Sequence, residues 1–557
     1  MTNRFFLLIG VFLLLTSCST KKHLATHHFD REEAYPEFTE ADSLIGTLSR
    51  YRSSFDVYYY DLDLEVDIEN QFLDGEVAIH FTAVDDLDTI QIDLYENLAI
   101  DGIYYGADSL RHHRKHNAVF IEFDNTIRKG QDVVLEVRYS GHPVEAPRPP
   151  WYGGMVWEED KDHNPWVGVA CEGSGPSIWW PVKDHLSDEP DSVRLEVTIP
   201  EGLFCVSNGK LVNQTNGNNT TTFTWKTQYP INSYNVTLYL GNYEYFTIPY
   251  EAEDTIYDLD FYVLPRNLEK AKEHFRQTVD VIRFFEETFG EYPWWREGFK
   301  LVESPYRGME HQTAIAYGDR YKNRKFLGFD HIIVHEAAHE WWGNAVSVSD
   351  FAEIWLHEGF ATYSEALYVE HTKGYEAYLE YIERKTWRIN DEKPVVGPHH
   401  VNYWDKTDND PYNKGALILH TLRNAINSDT VFFDILKSFY SRHKYSIVST
   451  EDFIAVVNEK TGDDYKWFFD HYLYKNVSPH LNWKYYFNEE NFRYELLYRW
   501  EFTDDNFRLP VTIQRLNGKI SRILPENQLK RVLGLTGKDI RINPDQSYIF
   551  LREDKDL

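Results

Sequence analysis

Along residues 52–250 apolar and polar positions alternate in short runs. Tyr58-Tyr59-Tyr60-Asp61-Leu62-Asp63-Leu64-Glu65-Val66 and Val193-Arg194-Leu195-Glu196-Val197 are examples. Period two puts every second side chain on one face, so these runs predict half-buried strands. Turn-forming clusters such as Asn216-Gly217-Asn218-Asn219 break them up. Near residue 266 the period changes. Asn267 to Phe289, Phe329 to Trp342, Phe351 to Thr372, Lys414 to Ile426 and Thr430 to Tyr440 carry apolar residues at helical spacing. Asn267 and Asp330 stand where N-caps belong, and Gly343 and Gly374 where helices end. After Pro479 the alternation returns, as in Trp483-Lys484-Tyr485-Tyr486-Phe487. The pattern predicts a multidomain α+β chain: an N-terminal β-domain over 51–250, a helical domain over 251–478 and a small β-domain over 479–557. Residues 19–50, polar and mixed in charge, are expected to be a tether.

Composition adds limits. The 557 residues are too many for one ordinary core, and the 42% hydrophobic content is enough to build several. A net charge of −32 repels phosphate backbones, so no nucleic-acid partner is expected. Residues 1–18 read as a signal peptide: Arg4, then an apolar run from Phe5 to Leu15 too short for a stable membrane span. The following Leu15-Thr16-Ser17-Cys18 resembles a bacterial lipobox, which implies lipidation at Cys18. The expected location is therefore the cell envelope of a bacterium, anchored by lipid to a membrane, the outer one on its periplasmic or outer face. Cys171 and Cys205 alone remain, too few for a cysteine-based zinc site, so any metal must be held by histidine and carboxylate.

Such a set is present. His335-Glu336-Ala337-Ala338-His339 lies within a predicted helix, where residues four apart share a face. Both imidazoles can reach one ion, while Glu336 is placed to act as general base on a water. The bare pattern also arises by chance. A third candidate ligand, Glu358, follows on the next predicted helix, and two histidines with one carboxylate leave a position open for water, as a catalytic Zn2+ site requires. His357 and Glu340 should point roughly 100° away from the ligand face.

The run from His335 to Asn344 is similar to the zinc helix of the aminopeptidase N family of gluzincins, and Trp355-Leu356-His357-Glu358-Gly359-Phe360-Ala361 resembles its third-ligand segment, with His357 where Asn is usual. Arg307-Gly308-Met309-Glu310-His311 resembles the family's Gly-x-Met-Glu-Asn exopeptidase motif. That resemblance implies that Glu310 binds a substrate's free ammonium, with Gly308 and Met309 beside it. Arg307 and His311 depart from the motif. Tyr412-Asn413-Lys414-Gly415-Ala416 matches the segment in which a tyrosine stabilises the tetrahedral intermediate. Cys171-Glu172-Gly173 resembles the family's Cys-Glu-Ala segment and implies a second ammonium anchor at Glu172; Tyr306 is expected to line the pocket for the first side chain.

The fold implied is a β-saddle domain, a thermolysin-like catalytic domain and a terminal β-sandwich, without the long helical C-terminal domain that caps many relatives. The cleft is expected to be more open, or closed by a partner. The function implied is removal of N-terminal residues from peptides with one Zn2+ per chain. A zinc endopeptidase using the same site, an epoxide hydrolase as in one branch of the family, and a non-catalytic lipid-anchored peptide-binding protein are the alternatives.

Overall fold

The computed structural model describes residues 35–252, 255–515, 517–535 and 540–557. The predicted leader with Cys18 lies outside them. The architecture is multidomain α+β. The alternating run Phe55–Asp67 pairs antiparallel with Phe72–Ala83 and parallel with Ser192–Pro200, at the centre of an eight-stranded sheet. Asn216-Gly217-Asn218-Asn219 turns one of its hairpins, with Gly217 N donating to Thr220 O (2.8 Å). A four-stranded sheet in the same half includes Pro165–Ala170 and Phe204–Ser207.

The catalytic half begins with a five-stranded sheet in the order Glu244–Ala252, Thr255–Val263, Phe299–Glu303, Ile315–Tyr317, Gly308–Met309. Its edge strand is the Gly308-Met309 pair, antiparallel to Ile315–Tyr317. The helices follow the predicted runs with shifted ends. The first is split into Leu268–His274 and Gln277–Phe289. Asn267 does not cap it: its amide donates to Glu303 Oε1 (2.6 Å). Asp330 does cap the metal helix His331–His339, accepting from Ile332 N (3.1 Å). The helix expected from Lys414 starts at Asp410, because Pro411 is compatible with a first turn. After Lys466–Tyr474 the described elements are strands in a four-stranded and a three-stranded sheet.

Of the expected tether over residues 19–50, residues 19–34 lie outside the described residues, and the rest needs correction. Thr39 and Asp42 form a capping box, so Glu40–Gly46 is helical, and Arg50–Ser53 follows it. Thr47 Oγ1 donates to His400 O (3.2 Å), and a β-carbon on Gly46 would lie 2.4 Å from Asn402 N. The lead-in thus braces the loop over residues 388–409. That loop lies against the Glu172 segment: Trp404 stacks on Phe351 and abuts Gly173, and Lys406 Nζ donates to Ser174 Oγ (3.2 Å). The Glu172 segment is thus covered by this loop from within the chain.

Candidate metal centre

His335 and His339 lie one turn apart on His331–His339, and Glu358 opens the next helix, Trp355–Lys373. The His335 and His339 Nε2 atoms are 3.2 Å apart, and Glu358 Oε2 is 3.3 Å from the first and 3.5 Å from the second. Zinc ligands at about 2.0–2.1 Å in a tetrahedron stand about 3.3–3.4 Å apart, so the three donor atoms fit that ion. Their surroundings agree. His335 Nδ1 meets Glu365 Oε1 at 2.7 Å and His339 Nδ1 meets Trp342 O at 2.9 Å. With their Nδ1–H groups donating there, both Nε2 lone pairs would be free to hold a metal ion. Glu358 Oε2 is buried with no hydrogen-bond partner. Burial alone would raise the Glu358 carboxyl, but His339 and His335 hold it below the usual carboxylate range.

Glu365 was not singled out from the sequence. It lies seven residues after Glu358, two turns along the same helix, and that spacing is a signal that could have found it. Its other oxygen is held by Tyr381 Oη and by Lys385 Nζ (3.3 Å). His357 and Glu340 point elsewhere, as their offset requires: His357 Nε2 accepts from Val348 N (3.1 Å) and Glu340 Oε1 from Thr313 N (2.9 Å).

The helix crossing behind the ligands is made by glycine. A β-carbon on Gly359 would sit 3.0 Å from Gly415 Cα, and one on Gly415 would sit 2.9 Å from Gly359 Cα. This close approach brings Glu358 and Tyr412, each near the start of its helix, to the same side of His335. The Tyr412 ring lies nearly parallel to that of His335, at 18° and 6.3 Å between centroids. Burial, then Glu358, pushes the phenol well above its ordinary value, so it stays protonated and can donate.

The edge strand runs beside Glu336. A β-carbon on Gly308 would come within 2.5 Å of Glu336 Oε1, so glycine here lets the edge strand lie against that carboxylate without displacing it. Burial pushes the Glu336 carboxyl up, and the two imidazoles oppose it. Carboxylate oxygens of Glu310 and Glu336 and a nitrogen of His339 lie within 4.8 Å of one another. Glu310 Oε1 accepts from Tyr234 Oη (3.2 Å), a residue the sequence did not single out. Glu172 reaches the same place from the β-domain: burial, then Glu310, pushes its carboxyl well up, and Glu172 Oε1 has no hydrogen-bond partner. Among the described residues no lysine or arginine forms an ion pair with Glu172 or Glu310.

Contacts from both sides pin this segment. Asn208 Nδ2 donates to Gln312 O (2.6 Å) and Gly209 N to Thr313 Oγ1 (2.9 Å), while Asn344 Nδ2 donates to Glu310 O (2.8 Å). His311 is buried as a neutral imidazole whose Nδ1 meets Tyr239 Oη at 2.6 Å; burial takes it down to about 3. Met309 is buried in the edge strand beside Ala316. Tyr306 is buried too, and its hydroxyl donates to Val169 O (2.8 Å), so its polar end ties the edge-strand segment to the β-domain.

Comparison with known proteins places the chain. Residues 273–472 match the peptidase family M1 domain, and residues 57–235 match the peptidase M1 N-terminal domain. A probable aminopeptidase 2 of Sulfurisphaera tokodaii is 22% identical over 442 residues, 75% of this chain and 55% of that protein. Leukotriene A-4 hydrolase of Xenopus laevis is 22% identical over 433 residues, 72% of this chain and 67% of that protein. The chain thus spans about half the length of the first relative and about two thirds of the second. A solved M1 zinc metallopeptidase of Deinococcus radiodurans, a variant bound to a Tyr-Ser-Ala substrate, shares the fold with a TM-score of 0.64 at 23% identity, over 76% of this chain and 96% of that one. With both of its large domains matched, the chain belongs to peptidase family M1, the gluzincins that include the aminopeptidase N type.

Proposed function

We propose that this protein is a zinc-dependent aminopeptidase. The observation that carries the reading is the pair Glu172 and Glu310, buried beside the metal donor set with no lysine or arginine in ion-pair contact among the described residues. Two carboxylates left like this are costly unless a positive charge arrives, and a substrate's α-ammonium is one. They leave no room for residues ahead of that amine, which argues against an endopeptidase.

His335, His339 and Glu358 would hold zinc, which when bound acidifies water and polarises a carbonyl. Glu310 and Glu172 seat the ammonium and so fix which carbonyl reaches the centre. Glu336, beside Gly308, takes the proton from the attacking water and passes it to the leaving amine. Tyr412 donates to the oxygen that becomes negative. Glu365 and the Trp342 carbonyl keep the imidazoles in the tautomer the site needs.

The test is hydrolysis of alanyl and leucyl anilides, free and N-acetylated, by the soluble portion. Activity on the free substrates alone, lost in Glu336→Gln and after chelation, is the expected result. One bound zinc per chain with no turnover of any free-amine substrate would sink the reading. We further propose, from Leu15-Thr16-Ser17-Cys18, that Cys18 carries a lipid anchor at a bacterial cell envelope. Cys18→Ser should then abolish detergent-phase partitioning.

A further inference from the structure

Arg307 stands where the resembled motif usually has glycine, and its surroundings are specific. Its Nη2 lies 3.3 Å from His331 Nε2, and Arg324 Nε lies 3.5 Å from the other nitrogen, Nδ1. A neutral imidazole has one acceptor lone pair, so only one of these contacts is a hydrogen bond, and the other guanidinium faces an N–H. Asp319 sits between the arginines, 3.5 Å from Arg307 Nε and 3.1 Å from Arg324 Nη2. The carboxylates here are turned inward. Asp319 is 17% exposed and Asp330, tied to His274, Tyr317 and Ile332 N, is 0% exposed, whereas Arg307 and Arg324 are 40% and 46% exposed. Donor atoms of Asp319, Asp330 and His331 lie within 4.8 Å of one another, but with guanidiniums on both His331 nitrogens the place rejects a cation. What it offers solvent is positive charge.

Its position relative to the metal is also defined. His331 and His335 are one turn apart, and they are the two residues of the metal helix that keep some exposure; Glu336 to His339 are buried. The partly exposed side of this helix therefore runs from His335 to His331, and Arg307 lies against His331. The edge strand gives the same order: Glu310 at the ammonium, Gly308 against Glu336, then Arg307. A substrate seated by Glu310 and cut beside Glu336 sends its leaving portion toward Arg307. This direction rests on the aminopeptidase reading. One helical turn is about 5.4 Å, between one and two residues of extended chain at about 3.3–3.6 Å each.

We propose that Arg307, supported by Arg324, is a carboxylate-binding subsite for the leaving side of the substrate. The carboxylate is the C-terminus of a tripeptide or the side chain of an acidic residue just after the scissile bond. Planar guanidinium groups suit this chemistry through paired N–H donors.

The experiment compares four peptides on the zinc-loaded enzyme: Ala-Ala-Ala and its C-terminal amide, then Ala-Glu-Ala-amide and Ala-Gln-Ala-amide. Binding of the same peptides to zinc-loaded Glu336→Gln is measured by calorimetry, independently of turnover. We expect at least about a fivefold preference for the charged member of one pair, in kcat/KM and in Kd, shrinking toward one in Arg307→Gln and partly in Arg324→Gln. The first pair reports a terminal carboxylate, the second a side chain. Equal values within both pairs, binding of none of the four, or a preference unchanged in Arg307→Gln would overturn the subsite. Discrimination in binding without any turnover would leave the subsite standing and remove the aminopeptidase reading instead.

Discussion

In the β-domain Asp93 and Asp184 are buried together, and Arg52 from the lead-in is buried with them, its guanidinium on Asp93 and its Nη1 donating to Ile45 O (2.6 Å). At the metal centre Glu172 and Glu310 are buried together, and among the described residues no guanidinium pairs with either. The depth of burial is alike, but the charge balance is opposite. The first group is complete within the chain and joins the lead-in to the sheet. The second is left open, and only a ligand completes it. Burial of acid therefore separates architecture from function here only when the counter-charge is also traced.

The largest effect should come from breaking the closed group. Arg52→Met leaves Asp93 buried and unpaired, a loss of about 3–5 kcal/mol in denaturant unfolding, with KM for a free-amine anilide unchanged in the protein that remains folded. A loss of binding with intact stability would reverse the roles assigned to the two groups. Next comes the open group. Glu172→Gln should lower kcat/KM on free-amine substrates by about 100-fold, roughly 2–3 kcal/mol. It should also raise the denaturation midpoint, by on the order of 1 kcal/mol, because it removes an uncompensated carboxylate. A drop in both would make Glu172 a structural residue. The smallest effect is a pH slope. Burial, then Asp93, raises the Asp184 carboxyl to about 7. The unfolded chain releases that proton near pH 3.9, so between about 4 and 7 the folded state holds a proton the unfolded state does not. Stability from this group therefore falls as pH rises through that window and levels off above it. Asp184→Asn should flatten the slope by on the order of 2 kcal/mol between pH 4.5 and 7.5; unfolding curves that respond to pH as before would exclude Asp184 as the source.

How much of this was legible beforehand depends on the distance over which each feature is encoded. His335 and His339 are one turn apart, and strands such as Phe55–Asp67 announce themselves by period two, so local spacing was enough. Glu358 could be read as a carboxylate on the next predicted helix, but Glu310 and Tyr412 needed a resemblance, because nothing local links them to that turn. Tyr234 meets Glu310 across 76 residues, and Arg52 meets Asp93 across 41, so neither has a sequence signature. Arg307 was visible as a departure from a motif, but its meaning lies in His331 and Arg324, which only the tertiary structure brings to it. The lead-in was misjudged because polar composition hides a capping box when the apolar face is short.

The contact between Gly359 and Gly415 sets a limit on how the site can be moved. Three donor atoms 3.2–3.5 Å apart demand tolerances finer than packed side chains provide, since side chains can change rotamer. Here two backbones touch, and backbone-to-backbone contact is the least compressible spacer a protein has. The portable unit of this chemistry is therefore the crossing itself. Transplanting the ligands to another scaffold without the paired glycines would carry over the donors and lose their dimensions.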